Sequence, residues 1–258
     1  MIRVVFVGAG NLATQLSRAM LNVGMQIRQV YSHTKTSAEK LAAELGCPFT
    51  TDPKEVTAEA DLYVFALKDK FLAEIIAAVP ANDALWVHTA GSMPISLFEG
   101  KVKHYGSFYP LQTFSKKRKV DFSVIPIFVE SKDAKDERSL LKIAKRLTDK
   151  VYPLSFEKRT KLHLAAVFAC NFVNHCYALT QEMLQKEGVA FDVMLPLIEE
   201  TTNKLSELSP KEAQTGPAIR YDENVINHHI DLIEEDLTKN IYRLMSQSIH
   251  QLAKKEVK

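Results

Sequence analysis

The sequence predicts an α/β fold, with an open, doubly wound, mostly parallel sheet at the N-terminus and an all-α domain after it. Three observations predict it. Over roughly the first 150 residues, short β-branched apolar runs alternate with segments of helical period, as in strands buried on both faces and joined by covering helices. Glycines stand where those helical segments should end. After Pro153 only helical periodicity remains.

Residues 2–7 form the first strand, an apolar run broken only by Arg3. A helix at 11–23 follows, with Leu12, Leu16, Ala19, Met20 and Val23 at helical spacing and Gly24 placed to end it. Residues 27–31 are the second strand, and Thr36 with Glu39 has capping-box form, opening a helix that Gly46 closes. Strands at 62–67 and 85–88 flank a helix at 70–79 whose Leu72, Ile75, Ile76 and Val79 share one side. Further strands are expected at 104–109, 124–129 and 151–154, with a helix at 133–147 between the last two. The remaining helices are expected at 158–187, 190–207 and 222–254, around a Pro- and Gly-punctuated loop at 208–220. The expected domains are therefore 1–155 and 156–258.

Composition narrows the function classes. Apolar residues are 46% and charged residues 25% of 258, enough for a core without disulfides or metal. The net charge of +2 gives no electrostatic case for nucleic acid or a membrane surface. The one basic run, Lys116-Lys117-Arg118-Lys119, lacks interleaved aromatics and reads as a solvated loop. Cys47, Cys170 and Cys176 are odd in number and without C-x-x-C spacing, which argues against a disulfide framework or zinc site and for a reducing compartment. The N-terminus has no signal-peptide pattern, and the apolar runs fall short of the ~20 residues of a membrane span. A soluble, cytoplasmic protein is expected.

Gly8-Ala9-Gly10-Asn11-Leu12-Ala13 is G-x-G-x-x-A, placed between the first strand and the first helix. Gly8 permits the tight turn, Gly10 lets a pyrophosphate approach the backbone, and Ala13 is small enough for close helix–strand packing. The helix start then offers free N–H groups and a favourable dipole to phosphate. This is the signal of a Rossmann dinucleotide-binding domain, with Gly8, Gly10, Asn11 and Leu12 as cofactor contacts; a purely structural glycine turn is the competing reading. An NAD site usually has an acid at the end of the second strand, about 20 residues after the glycines. Here stand Ser32, His33, Thr34 and Lys35, with no acid until Glu39. Hydroxyls, an imidazole and an ammonium suit a 2′-phosphate, so NADP is favoured over NAD; a polar turn silent about the cofactor is the alternative. Ala66, Leu67 and Lys68, and Thr89, Ala90 and Gly91, lie at the carboxyl ends of later strands, where ligands bind in open sheets.

These stretches, together with Tyr109-Pro110-Leu111-Gln112-Thr113-Phe114, resemble a bacterial family of NADP oxidoreductases that joins a Rossmann domain to a helical domain of unknown function. That family is related to pyrroline-5-carboxylate reductase, ketopantoate reductase and the β-hydroxyacid dehydrogenases. In the second half, Phe168-Ala169-Cys170-Asn171-Phe172 resembles its central helix and Ala213 to Arg220 its Thr-Gly-Pro…Arg loop, with His229 seven residues after Asp222. The resemblance implies an NADP-dependent enzyme and a homodimer built through the helical domain. This chain departs from the pattern at Tyr109, where the family more often has histidine, and at Val167, where the β-hydroxyacid and ketopantoate enzymes place a catalytic lysine four residues before the asparagine.

The residues themselves nominate three groups for chemistry. Residues 164–173 are almost wholly apolar, which implies burial in a core or a dimer interface, yet His163, Asn171, Asn174, His175 and Gln181 fall within about a third of the helix circumference. Such a stripe either faces the nicotinamide cleft or forms an internal hydrogen-bond network. Asn171, Asn174 and His163 are the catalytic candidates there, with Tyr109 and His229 as possible proton donors. Arg220 can hold a substrate carboxylate in a bidentate fork, and Gln112 and Thr113 follow a strand and can line the cleft. No His, Cys or acid spacing marks a metal site. The expected activity is hydride transfer between NADPH and a small ketone or imine, probed as a carboxylate-bearing molecule of ketopantoate or pyrroline-carboxylate type. A non-catalytic NADP-binding sensor or regulatory dimer is the alternative.

Overall fold

The structure, a computed structural model, describes residues 1–255. Eight strands form one sheet in the order β3-β2-β1-β4-β5-β6-β7-β8. They are β1 (Arg3–Val7), β2 (Gln26–Tyr31), β3 (Phe49–Thr50), β4 (Leu62–Phe65), β5 (Leu85–His88), β6 (Tyr105–Pro110), β7 (Ile127–Ser131) and β8 (Val151–Pro153). All neighbours pair in parallel except β6 and β7. The helices on the sheet are α1 (Asn11–Asn22), α2 (Lys35–Leu45), α3 (Asp69–Ala78) and α4 (Ala134–Ala144). The order reverses at β1 and β4, and the crevice beyond their carboxyl ends is the ligand site of such sheets.

Alternation along the strands builds two cores. Val4 and Phe6 join Leu16, Met20, Leu41 and Leu140 beneath α1, α2 and α4. Val5 and Val7 join Phe65, Leu72, Ile76 and Trp86 beneath α3. A strand buried on both faces reads as an unbroken apolar run, and β1 and β4 do so because no face is left for polar residues. Gly24 and Gly46 end α1 and α2 at φ 77° and 64°, a left-handed conformation that glycine adopts without steric cost.

Several boundaries differ from expectation. Thr36 lies inside α2, whose N-cap is Thr34 and bears no side-chain bond, so the expected capping box does not form. The strand expected at 124–129 starts at Ile127, because Phe122–Val124 is a 3₁₀ turn capped by Asp121. The short β3 carries too few residues for its period to show.

The chain divides into two compact units, Met1–His175 and Cys176–Lys258. The helix Phe156–Lys186 runs 31 residues and is made of α5 (Phe156–Ala166), widened i→i+5 turns at Val167–Phe172 and α6 (Val173–Lys186). Contrary to the expectation from apolar runs, this helix is long and apolar enough to cross a membrane by length and composition, with mean hydropathy 1.3 in its window. Its apolar stretch is not core within one chain either, since Leu164, Phe168 and Phe172 are 59%, 63% and 51% exposed. In the second unit α7 (Leu195–Asn203), α8 (Pro217–Arg220), α9 (Glu223–Leu232) and α10 (Asp236–Lys254) follow. The single helix expected at 222–254 is thus two. Glu235 caps α10, its carboxylate accepting from the Thr238 hydroxyl at 2.8 Å, and the acids Glu234, Glu235 and Asp236 gather where a helix N-terminus favours negative charge.

Candidate active site

The turn after β1 is shaped by two glycines with different tasks. Gly8 has φ 128°, and a Cβ there would lie 2.3 Å from the Ala66 carbonyl oxygen, so only glycine lets the chain pass the end of β4. Gly10 is exposed and a Cβ there would meet nothing within 4 Å. It caps α1 without a side-chain bond, and the first turn holds no acid. The opening N–H groups of α1 therefore face open space with no carboxylate to compete, which fits a pyrophosphate. Asn11 is exposed and Leu12 half-buried at this helix start.

The end of β2 is likewise free of carboxylates. Ser32 is buried and its Oγ accepts from the Thr34 N–H at 3.4 Å, while the Thr34 hydroxyl and His33 Nε2 are 3.2 Å apart. Lys35 opens α2 and is exposed, and α2 has no acid in its first turn. The donor set fits a phosphate monoester. The His33 and Phe71 rings stand 6.2 Å apart across the crevice mouth. Ala66 and Leu67 are half-buried after β4 and Lys68 is exposed, with Asp69 taking a hydrogen bond from the Ser92 hydroxyl.

On the α3 face, pairing lines up a polar row beside these strand ends. His88 pairs with Ser107, and Ser107 with Glu130. Over the row lies Arg159, 0% exposed. Its Nη1 donates to Ser107 Oγ at 2.7 Å and to Glu130, and its Nη2 donates to the Met93 carbonyl at 2.7 Å. The other Glu130 oxygen accepts from the Phe156 N–H at 2.9 Å, so one carboxylate caps α5 and neutralises the buried guanidinium. The loop from Thr89 to Met93 is pinned at both ends, since His88 Nδ1 accepts from the Ala90 N–H at 3.2 Å and Arg159 holds Met93. Burial and the nearby Arg159 charge push the His88 pKa down to about 3, so His88 is a neutral acceptor.

His163 sits one helical turn after Arg159 on the same face. It packs directly on Gly91, where a Cβ would lie 2.6 Å from its Cγ. Its Nδ1 is 3.0 Å from the Tyr109 hydroxyl. Tyr109 is 7% exposed and His163 half-buried, so the imidazole is the accessible member of the pair. Burial raises the Tyr109 pKa against the opposing pull of Arg159, which keeps the phenol protonated.

The structure thus gathers Tyr109, His163 and the Thr89–Gly91 loop, three stretches far apart in sequence. Other candidates lie elsewhere. Asn171 and Asn174 are exposed beyond the widened turns, and the residue those turns accommodate rotates all that follows by about 100°, out of phase with His163. Gln112 and Thr113 are exposed after β6 and bond one another, Thr113 N–H to Gln112 Oε1 at 2.8 Å. In the second unit, His229 Nδ1 is 2.8 Å from the Tyr242 hydroxyl, and Arg220 is exposed at the end of α8. Away from the crevice, before β6, His104, Asp133 and Asp136 bring possible ligand atoms within 4.8 Å of one another. There Asp136 bonds His104 at 2.9 Å and Asp133 caps α4, so these carboxylates already have partners. Sequence reasoning missed Arg159, Glu130, Ser107 and His88. A usable signal was present, an arginine four residues before His163 at the head of an apolar helix.

Residues 3–89 match the family model described as NADP oxidoreductase coenzyme F420-dependent, and residues 125–249 match a domain of unknown function, DUF2520. Among solved structures, a candidate NADP oxidoreductase from Bacteroides fragilis is 51% identical, with TM-score 0.94 over 97% of this chain and 98% of that one. An imine reductase from Myxococcus stipitatus, solved with NADP+, is 15% identical with TM-score 0.66 over 99% and 94%. A 1-pyrroline-5-carboxylate reductase from Streptococcus pyogenes is 9% identical with TM-score 0.64 over 97% and 98%. At these identities the last two share the fold. No curated protein matches the chain.

Proposed function

The chain belongs to the family of NADP oxidoreductases that join a dinucleotide-binding domain to a DUF2520 domain, and on that premise we propose that it reduces the C=N or C=O bond of a small, carboxylate-bearing imine or ketone. The observation that carries this reading is the Tyr109–His163 pair set against Gly91 at the carboxyl ends of β5 and β6. Bound NADPH supplies the hydride. Gly10 and the start of α1 receive its pyrophosphate, and Ser32 to Lys35 its 2′-phosphate. The 89–91 loop, fixed by His88 and Arg159, borders the nicotinamide. His163, protonated at Nε2, gives that proton to the nitrogen or oxygen that has gained electrons. The Tyr109 hydroxyl bonds Nδ1 in both protonation states, because a hydroxyl both donates and accepts. It therefore fixes the ring and leaves Nε2 as the working atom.

The reading assigns residues 1–155 to the cofactor and 156–258 to substrate and assembly. It also includes a second copy of the chain over the exposed apolar face of Leu164, Phe168 and Phe172, which would bring Asn171, Asn174, Arg220 and His229 into play at a shared cleft. Support comes from the exposure of these side chains, since large contiguous apolar patches are rare on monomers. Nothing observed favours a non-catalytic sensor. The test is NADPH oxidation, followed by nicotinamide absorbance, over a panel of cyclic imines and 2-keto acids with and without a carboxylate. Turnover favouring carboxylate-bearing members supports the reading. NADPH binding with no oxidation across the panel overturns it.

A further inference from the structure

We propose that the basic loop Lys116–Lys119 is a second wall of the 2′-phosphate subsite and selects NADPH over NADH. The inference rests on the NADP reading above and extends it to residues that no motif assigns.

The loop is built in place, not left free in solvent. Gln15 of α1, 3% exposed, donates from one amide nitrogen to the Ser115 and Arg118 carbonyls at 2.6 and 2.8 Å. Arg18 donates to the Lys116 carbonyl at 3.2 Å. Phe114 beneath it stacks on Phe122 at 5.9 Å. With three backbone carbonyls turned onto α1, the side chains of Lys116, Lys117, Arg118 and Lys119 point away from the helix and are exposed.

What they border is a groove of about 230 Å³ between α1 and α2, lined by Thr14, Arg18, Ser37, Lys40, Lys116 and Lys117 among others. Glu44 is the one carboxylate on its lining, and both Glu44 oxygens are taken by Arg18. The groove therefore keeps a positive surplus from Lys40, Lys116 and Lys117. It runs to Ser37, in the first turn of α2, the helix whose N-terminus is uncapped and follows Ser32, His33 and Thr34. A phosphate dianion at that helix start would have amide N–H groups on one side and the lysine ammonium groups on the other. NADH has no charge there, so the loop discriminates by the 2′-phosphate alone.

The test is fluorescence titration of NADPH and NADH, at low and moderate salt, into the full chain and into Lys116→Ala/Lys117→Ala. The charge-reversed pair Lys116→Glu/Lys117→Glu serves as a second variant. These side chains are exposed, so the fold is not at stake. The expected result is NADPH affinity weakened about tenfold in the alanine pair and further in the reversed pair, with NADH affinity unchanged. The salt dependence of NADPH binding should be shallower in the alanine pair than in the parent, because fewer charges remain to be screened. Undiminished NADPH affinity, or equal losses for both nucleotides, overturns the inference. If the parent prefers NADPH and the variants keep that preference, only this inference fails. If the parent binds neither nucleotide, the NADP reading itself fails.

Discussion

The Tyr109 hydroxyl stands 3.0 Å from Nδ1 of His163, tying the end of β6 to α5. Tyr109 is the buried partner and His163 the accessible one, so their loss should have unequal effects. His163→Asn should lower kcat by about 10²–10⁴-fold, the usual contribution of a positioned proton donor, with NADPH affinity near the parent's. Tyr109→Phe should cost less, about tenfold, and shift the acid limb of the pH–rate profile, since it changes how Nδ1 is held but keeps Nε2. Steady-state kinetics on the fastest-turned-over panel member decide the matter. A Tyr109→Phe defect larger than that of His163→Asn would reverse the two roles.

Gly91 leaves no room for a side chain beneath the His163 ring. A Cβ at 2.6 Å from Cγ must displace the imidazole or the loop. Gly91→Ala should therefore destabilise the protein by about 1–3 kcal/mol, as overpacking does. It should also lower kcat about tenfold or more by moving the ring off Tyr109. Urea melts paired with kinetics separate the two effects, and a variant with unchanged kcat would show that His163 is not placed for chemistry.

Arg159 and Glu130 form a buried pair whose halves are unequal in exposure, 0% and 17%. Removing one partner leaves an uncompensated charge, so Arg159→Met should cost about 3–5 kcal/mol. Adding Glu130→Gln to Arg159→Met should return part of that loss, since the stranded carboxylate is gone. A double variant as unstable as the sum of the singles would mean that the pair does not act as a unit.

His88 makes stability depend on pH. Its folded pKa is about 3 and its ordinary value 6.5, so between these the unfolded chain binds one more proton than the folded one. Stability from His88 is then present above pH 6.5 and is lost as pH falls towards 3, at about 1.4 kcal/mol per unit at most. His88→Asn should flatten that part of the stability-against-pH curve from denaturant melts. An unchanged slope would show that His88 does not stay neutral in the fold.

The fold was legible where local signals and packing agree. Val4 to Val7 lie under helices on both faces, so their unbroken apolar run already states a strand, and Gly24 and Gly46 end helices because only they take positive φ cheaply. The crevice was legible for the same reason, since Gly8 and Gly10 carry backbone geometry in their identity. The Arg159 cluster was not. Ser107, Glu130 and Arg159 look like ordinary polar residues in sequence, and only the β5–β6–β7 register brings them together. The stripe from His163 to Gln181 misled in a different way, because the widened turns at Val167–Phe172 break the regular period used to draw it. Nor does the break between α9 and α10 carry a glycine or proline to announce it.

The most direct measurement is nicotinamide fluorescence during separate titrations of the purified chain with NADPH and NADH. The account predicts saturable micromolar binding of NADPH and at least tenfold weaker binding of NADH, an energy gap of about 1.4 kcal/mol or more. Tighter binding of NADH, or no binding of either nucleotide, would contradict it.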